Sequence, residues 1–551
     1  MAAAPLVLGA FGALALAATP ASARVDRRSP LLAYAEARAA ASAGALERAS
    51  TGFGAALAAA PDSDLIAGQA LAHAVRAGDW RLALDATRAL ERRNALAPDG
   101  RFLLVAEAFR GRDWRAARVQ IDAIEREQAF AFAVPVLRAW LAFGSREGDP
   151  LAALAAAGES GAAAGYAAEH RALLKLALGR ADGPAELLSA ARSAGARGAR
   201  LRIAGAALLA GRRQREAALA LLDPDQPSSR AARALIESGR PVPGAIGTAE
   251  AGVGESMVRL ALDLGGQNLP EPGTMFARLA ARLDAGNSEA WIVAAELLGQ
   301  QDLHRLGVGL LANVAANDPF AASAREARIR LLLGGGDRDG ALAVALEASR
   351  ARSATMTDWV RLGQVYADLG RQQDAADAFG RALALHREDA VQPAWTLWLM
   401  RGGALDQADN WPEALSALRQ AYRLAPEQPF VLNYLGYAQL VRRENIDEAE
   451  RLIREAHRLA PDDADITDSL GWALYLKGQL PEAIALLEQA ARGQPADVEI
   501  NEHLGDAYFA AGRRVEARFA WRAAAVYATG PVAARIAAKM ESGLTRVIAA
   551  R

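Results

Sequence analysis

Large apolar, small and polar residues recur along the C-terminal third of the chain at intervals of 34. Trp359, Leu362, Gly363, Tyr366, Ala375, Phe379 and Ala382 stand at positions 4, 7, 8, 11, 20, 24 and 27 of one such unit. Trp398, Gly402, Leu405, Ala414, Leu418, Ala421 and Pro426 follow, then Leu435, Gly436, Ala449, Ile453, Ala456 and Pro461. Leu470, Gly471, Leu474, Ala483, Leu487, Ala490 and Pro495 repeat the pattern, and Leu504, Gly505, Tyr508, Ala517, Trp521 and Ala524 give a last unit. Within each half unit the apolar residues lie three or four apart, the period of an amphipathic helix. Glycine stands where the first helix must end (Gly370, Gly478, Gly512), and proline where the second stops (Pro461, Pro495). The pattern predicts antiparallel helix pairs. Small residues at 8 and 20, such as Gly471 and Ala483, bring the two backbones close, and the large positions fill the space around them.

The register extends backwards. Ala341 and Gly307 precede Ala375 at the same spacing, and Trp291, Leu298, Leu311 and Pro319 fit the Gly307 unit. Ala49, Ala83 and Ala117 are again 34 apart, with Asp-Trp ahead of the last two and Phe53 and Pro61 completing the first. Between 150 and 275 only Ala185 and Ala217 serve as marks. Roughly 15 units account for nearly the whole chain. From Asp223 to Gly273 proline and glycine are too dense for unbroken helix, so only short helices near 228–238 and 254–265 are expected there. We read this stretch as a kink between two superhelical segments, with a flexible linker between independent domains as the rival. The expected organisation is a signal peptide at 1–23, degenerate helical repeats at 24–240, a Pro/Gly-rich kink or linker at 241–275, a regular array at 276–528 and a capping helix at 529–551.

These positions resemble the tetratricopeptide repeat. The resemblance implies an all-α, right-handed α-solenoid of helix pairs and a role in binding proteins or peptides. The segments Asn433-Tyr434-Leu435-Gly436, Asp468-Ser469-Leu470-Gly471-Trp472 and Asn501-Glu502-His503-Leu504-Gly505-Asp506 look like a form common in long exported alphaproteobacterial proteins of this kind. That likeness implies a Gram-negative source.

Composition narrows the function. The chain has 551 residues and a net charge of −1, which gives no field for nucleic acid or an anionic membrane. Zero cysteine excludes disulfides, thiol nucleophiles and Cys-ligated metals. All but three of the 63 basic residues are arginine, which fits a GC-rich genome. Pro5 to Ala18 is apolar and uncharged, and Ala21-Ser22-Ala23 then offers a signal-peptidase site, so a periplasmic protein cleaved after Ala23 is expected. No later stretch reaches 18 uncharged residues. Membrane association would come only through a partner or an uncleaved signal.

Candidate chemistry is sparse. The six histidines include no pair at zinc-binding helical spacing. Gly334-Gly335-Gly336-Asp337 lacks the Gly-Lys-Ser/Thr of a phosphate loop and falls at an inter-helix turn. No nucleophile elbow, calcium loop or dinucleotide fingerprint occurs. No catalytic residue, cofactor or metal is expected, and the protein is not read as an enzyme. What remains is the concave face that first helices form in such solenoids. Asn433, Tyr437, Asp468, Trp472, Tyr475, Glu502, Asp506 and Phe509 are its candidate partner-binding residues. Aromatics beside carboxylates suit a basic or aromatic peptide. Asp468 and Glu502 are expected to be exposed. The alternative function is an accessory subunit of a polysaccharide synthesis or export system, with Trp472 and Tyr475 stacking on sugar rings.

Overall fold

The computed structural model describes residues 29–158, 161–387 and 392–544. The expected signal peptide, with cleavage after Ala23, lies outside the described residues, as does the end of the expected 529–551 helix. Thirty α-helices and no strand occur among the described residues, which divide between Gly336 and Asp337 into two compact units. The fold is an all-α repeat solenoid.

Local chemistry sets the helix ends. Asp79 and Asp113, the acids of the two Asp-Trp pairs, accept hydrogen bonds from the backbone N–H groups of Leu82 and Ala116 and so cap the helices Trp80–Arg92 and Trp114–Glu127. Thr355 and Asp358 form a reciprocal capping box at the start of Met356–Asp368. Gly478 takes the left-handed conformation, φ 76°, between the two helices of its repeat.

The second unit holds five regular pairs, from Met356–Asp368 with Gln372–Ala384 to Val498–Ala510 with Arg514–Tyr527. Ala375, Ala414, Ala449, Ala483 and Ala517 are wholly buried. The position-8 glycines explain themselves by contact. A Cβ on Gly471 would come within 2.7 Å of Leu487 and 3.2 Å of the Ala483 carbonyl, and one on Gly505 within 2.3 Å of Trp521. The glycine therefore receives the large residue of position 24 as well as the backbone of position 20. Helix Gly530–Ser542 packs behind the last pair.

The first unit departs from the expected plan at 241–275. Only about ten residues there are irregular, and two helices follow, Ala249–Gly266 and Pro270–Leu283. The stretch is neither kink nor linker; it is interior structure of the first unit. Pro270 and Pro272 sit in the first turn of Pro270–Leu283, where no helical hydrogen bond is lost. The glycines permit close docking: a Cβ on Gly252 would lie 2.1 Å from the Trp140 ring. The register marks also shift. Ala185 is exposed and Ala217 half-buried, while Gly183 and Ala218 occupy the buried positions instead.

This helix pair lies against first helices of the N-terminal repeats, Asp64–Ala77, Arg101–Arg110 and Val134–Ser145. Phe276 meets Phe102 edge-on at 4.8 Å. Arg282 reaches Glu107 at 2.5 Å, and Arg76 reaches Glu271 at 2.8 Å. Buried Arg278 donates to the Val75 carbonyl near the end of its helix. A buried ion cluster pins the arrangement. Glu255, fully inaccessible, bonds Arg200 at 3.0 Å, Arg197 at 2.5 Å and the Asn287 amide at 2.9 Å. Glu169 links Arg197 at 2.7 Å and Arg259 at 3.0 Å. Burial alone would lift the Glu255 carboxyl, but Arg200 and Arg197 outweigh it and hold the group below its usual value.

Candidate functional site

The eight candidate residues lie on three neighbouring first helices, Pro429–Val441, Ala464–Leu476 and Val498–Ala510. A 34-residue spacing makes Asp468 equivalent to Glu502, Trp472 to Asp506 and Tyr475 to Phe509. The repeat thus places one acid above another along the row.

The structure divides these residues into two groups. Toward the C-terminus, Glu502 takes a bidentate pair of 2.8 Å bonds from Arg535 and a 2.6 Å bond from Lys539. Asp506 accepts from Lys539 at 2.7 Å and from the Trp521 Nε1–H at 2.9 Å. Burial raises the carboxyls of both; for Glu502 the two cations reverse the effect, and for Asp506 burial prevails. Phe509 tilts against Trp521 at 5.5 Å.

One repeat upstream, Asp468 lies 2.9 Å from His503 Nδ1. Burial, the largest influence on His503, disfavours its charge, yet Asp468 and Glu499 carry its pKa above the ordinary histidine value. Trp472 stacks on His503 at 4.0 Å and on Tyr475 at 4.7 Å. The rings that a sugar reading requires are therefore engaged with protein neighbours. The Tyr437 hydroxyl donates to Glu499, two repeats along, and burial with the surrounding Glu499, Asp468 and Glu502 holds the phenol proton on. Asn433 is half-buried, and its Oδ1 is buried with no partner among the described residues. Asp465 and Glu499 remain exposed.

The expected exposure of Asp468 and Glu502 is corrected: each is only 5% exposed. The physical reason is internal charge compensation. Three carboxylates on one face do need cations, but Arg535 and Lys539 of the last helix supply them at the C-terminal end. The 34-residue register places Glu499 in the same row, whereas His503, Arg535 and Lys539 were missed. One signal was available, because Lys539 is one of three lysines in a chain that otherwise uses arginine.

Among the described residues no group of three or more His, Asp or Glu side chains is placed to hold a metal ion. No helix among them is long and apolar enough to cross a membrane.

Stacked helix pairs with a polar-aromatic row of first helices define a repeat protein of the α-solenoid class. Family models of the tetratricopeptide repeat match residues 360–429 and 471–512. The chain carries tetratricopeptide repeats over these residues, and such repeats support a protein-interaction scaffold. No curated protein matches it significantly. Among solved structures it is similar to a thermophilic repeat protein of Thermus thermophilus (22% identity, 34% of this chain and 100% of that one, TM-score 0.30). It is also similar to yeast Tom70 (14%, 93% and 95%, TM-score 0.36) and to the Cut9–Hcn1 hetero-tetramer of the APC/C (15%, 94% and 97%, TM-score 0.37).

Proposed function

We propose that this protein is a non-catalytic scaffold of a bacterial envelope, whose C-terminal row of first helices holds a basic segment of a partner protein. One observation carries the reading: helix Gly530–Ser542 sets Arg535 and Lys539 onto Glu502 and Asp506, as a bound basic helix would. One repeat upstream the equivalent acid, Asp468, is buried against His503, and Asp465 and Glu499 stand exposed beside it. A basic segment would continue along the row that the last helix has begun. Its cations would pair with Asp465 and Glu499. The apolar run Pro5–Ala18 followed by Ala21-Ser22-Ala23 supports the compartment.

Fluorescence anisotropy with a labelled Arg/Lys-rich peptide bearing one Tyr tests this on the full chain. Asp465→Asn with Glu499→Gln, both at exposed positions, should weaken binding roughly tenfold and flatten its salt dependence. Binding that is unchanged in this variant, or absent in the parent protein, would contradict the proposal.

A further inference from the structure

Helix Arg514–Tyr527 carries an outer face unlike those of the repeats before it. Of fourteen large apolar side chains exposed among the described residues, four lie on this one helix: Val515, Phe519, Val526 and Tyr527, each 60% exposed or more. Phe519 stands where the two preceding repeats carry Ala485 and Arg451. Interleaved with the apolar residues are Arg514, Arg518 and Arg522, four residues apart and so on one side of the helix. Elsewhere in the unit some exposed arginines find acids, Arg454 with Glu450, Arg458 with Glu455 and Arg513 with Glu516, while others such as Arg381, Arg451 and Arg492 stand singly. Arg514, Arg518 and Arg522 differ in lining one side of one helix beside exposed apolar residues. Arg514, Arg518 and Arg522 have no carboxylate partner among the described residues; Arg514 and Arg522 lie over the rings of Phe509 and Phe519 instead.

The face is also concave. It borders a cavity of about 610 Å³ between this helix and the end of Gly530–Ser542, lined by Phe509, Trp521, Val515 and Phe519 together with Lys539, already paired to Glu502 and Asp506, and with Glu541 as the one acid among the described lining residues. An apolar floor under three uncompensated cations selects a ligand with a bulky apolar side chain between carboxylates. Residues 545–551 of the chain itself do not fit, since they carry Arg546 and Arg551 and no acid. A flat lipid surface fits a concave groove poorly.

We infer that this groove docks an acidic segment of a partner protein, with one aromatic or aliphatic side chain seated on Phe509 and its flanking carboxylates on Arg518 and Arg522. The site shares Phe509 with the last helix of the row but otherwise lies on helices Arg514–Tyr527 and Gly530–Ser542, and its charge preference is opposite to that of the row. The two sites would let one chain join a basic and an acidic partner.

The test uses the full chain and three probes: a labelled twelve-residue Glu-rich peptide with a central Phe-Leu pair, its Lys-for-Glu counterpart, and vesicles containing phosphatidylglycerol. The acidic peptide should bind, and should bind more weakly as salt rises. Arg518→Glu with Arg522→Glu should weaken it at least tenfold, and Phe519→Ala about fivefold, with the circular dichroism spectrum unchanged because all three side chains are exposed. Arg518→Gln with Arg522→Gln should give an intermediate loss. Asp465→Asn with Glu499→Gln should leave acidic-peptide binding intact, which separates this proposal from the basic-segment reading. No binding of the acidic peptide, equal binding by the charge-reversed variant, or capture of vesicles in place of peptide would overturn it.

Discussion

The two units use the same helical repeat but treat their rows of first helices in opposite ways. In the first unit the chain covers the row itself, with helices Ala249–Gly266 and Pro270–Leu283 locked by Phe276, Arg282 and the Glu255 cluster. In the second unit the chain covers only the end, through Arg535 and Lys539, and upstream leaves Asp465 and Glu499 exposed beside half-buried Tyr437, Trp472 and Tyr475. The comparison teaches that a repeat fold does not by itself make a binding groove. Where the sequence supplies a helix pair with glycines at the contact and buried counter-charges, the groove becomes core. Where it supplies one short cationic helix, the groove stays available.

The largest effect should come from the first unit's ion cluster. Glu255→Ala leaves Arg200 buried without its carboxylate, at a cost of about 3–5 kcal/mol. Because repeats are stabilised by their neighbours, hydrogen exchange should accelerate in the first unit and stay unchanged in 337–544. Equal acceleration in both would break the distinction. Gly252→Ala should cost less, about 1–3 kcal/mol, by forcing a methyl group into the Trp140 ring. A neutral Gly252→Ala variant would show that the helix pair does not dock tightly on the N-terminal row.

The smallest effect separates the units by the sign of a histidine titration. His73 and His170 in the first unit are pushed down to about 4 and about 3, chiefly by burial, and His170 Nδ1 accepts the Trp140 indole N–H. Their folded values lie below the ordinary 6.5, so the stability they contribute is whole above 6.5 and is lost as pH falls toward those values. His503 is raised, so its contribution is whole below 6.5 and fades as pH climbs through the folded value. Glu289 in the first unit, pushed up to about 7 by burial, opposes the His73 and His170 trend in bulk melts. Histidine NMR therefore reads the sites one by one. Asp468→Asn should lower the His503 pKa, since burial is then opposed only by Glu499 and Asp506; a His503 titration that stays in place would contradict the pairing.

Much of the C-terminal unit was legible because its signal is periodic: Gly471, Ala483 and Leu487 meet as the 34-residue spacing requires. The eight candidate residues did fall on adjacent helices for the same reason. Their partners were not legible, because Lys539 approaches Asp506 from a helix outside the repeat, where no spacing rule applies. The same limit hid the docking of 249–283. Proline and glycine mark a local break in pattern, but whether Gly252 bends a chain or admits Trp140 depends on a residue more than 100 positions away. The Glu255 cluster joins four helices at separations that no local motif encodes.

The row of first helices is covered by the chain itself in the first unit and only at its end in the second. Photo-crosslinking in the cell tests this difference directly, with a photoreactive residue placed at Arg76 or Glu107 in the first unit and at Tyr437 or Tyr475 in the second. Crosslinks should form from 437 and 475 to another protein, and from 76 and 107 only to residues 249–283 of the same chain. Intermolecular crosslinks from 76 and 107, with none from 437 and 475, would contradict it.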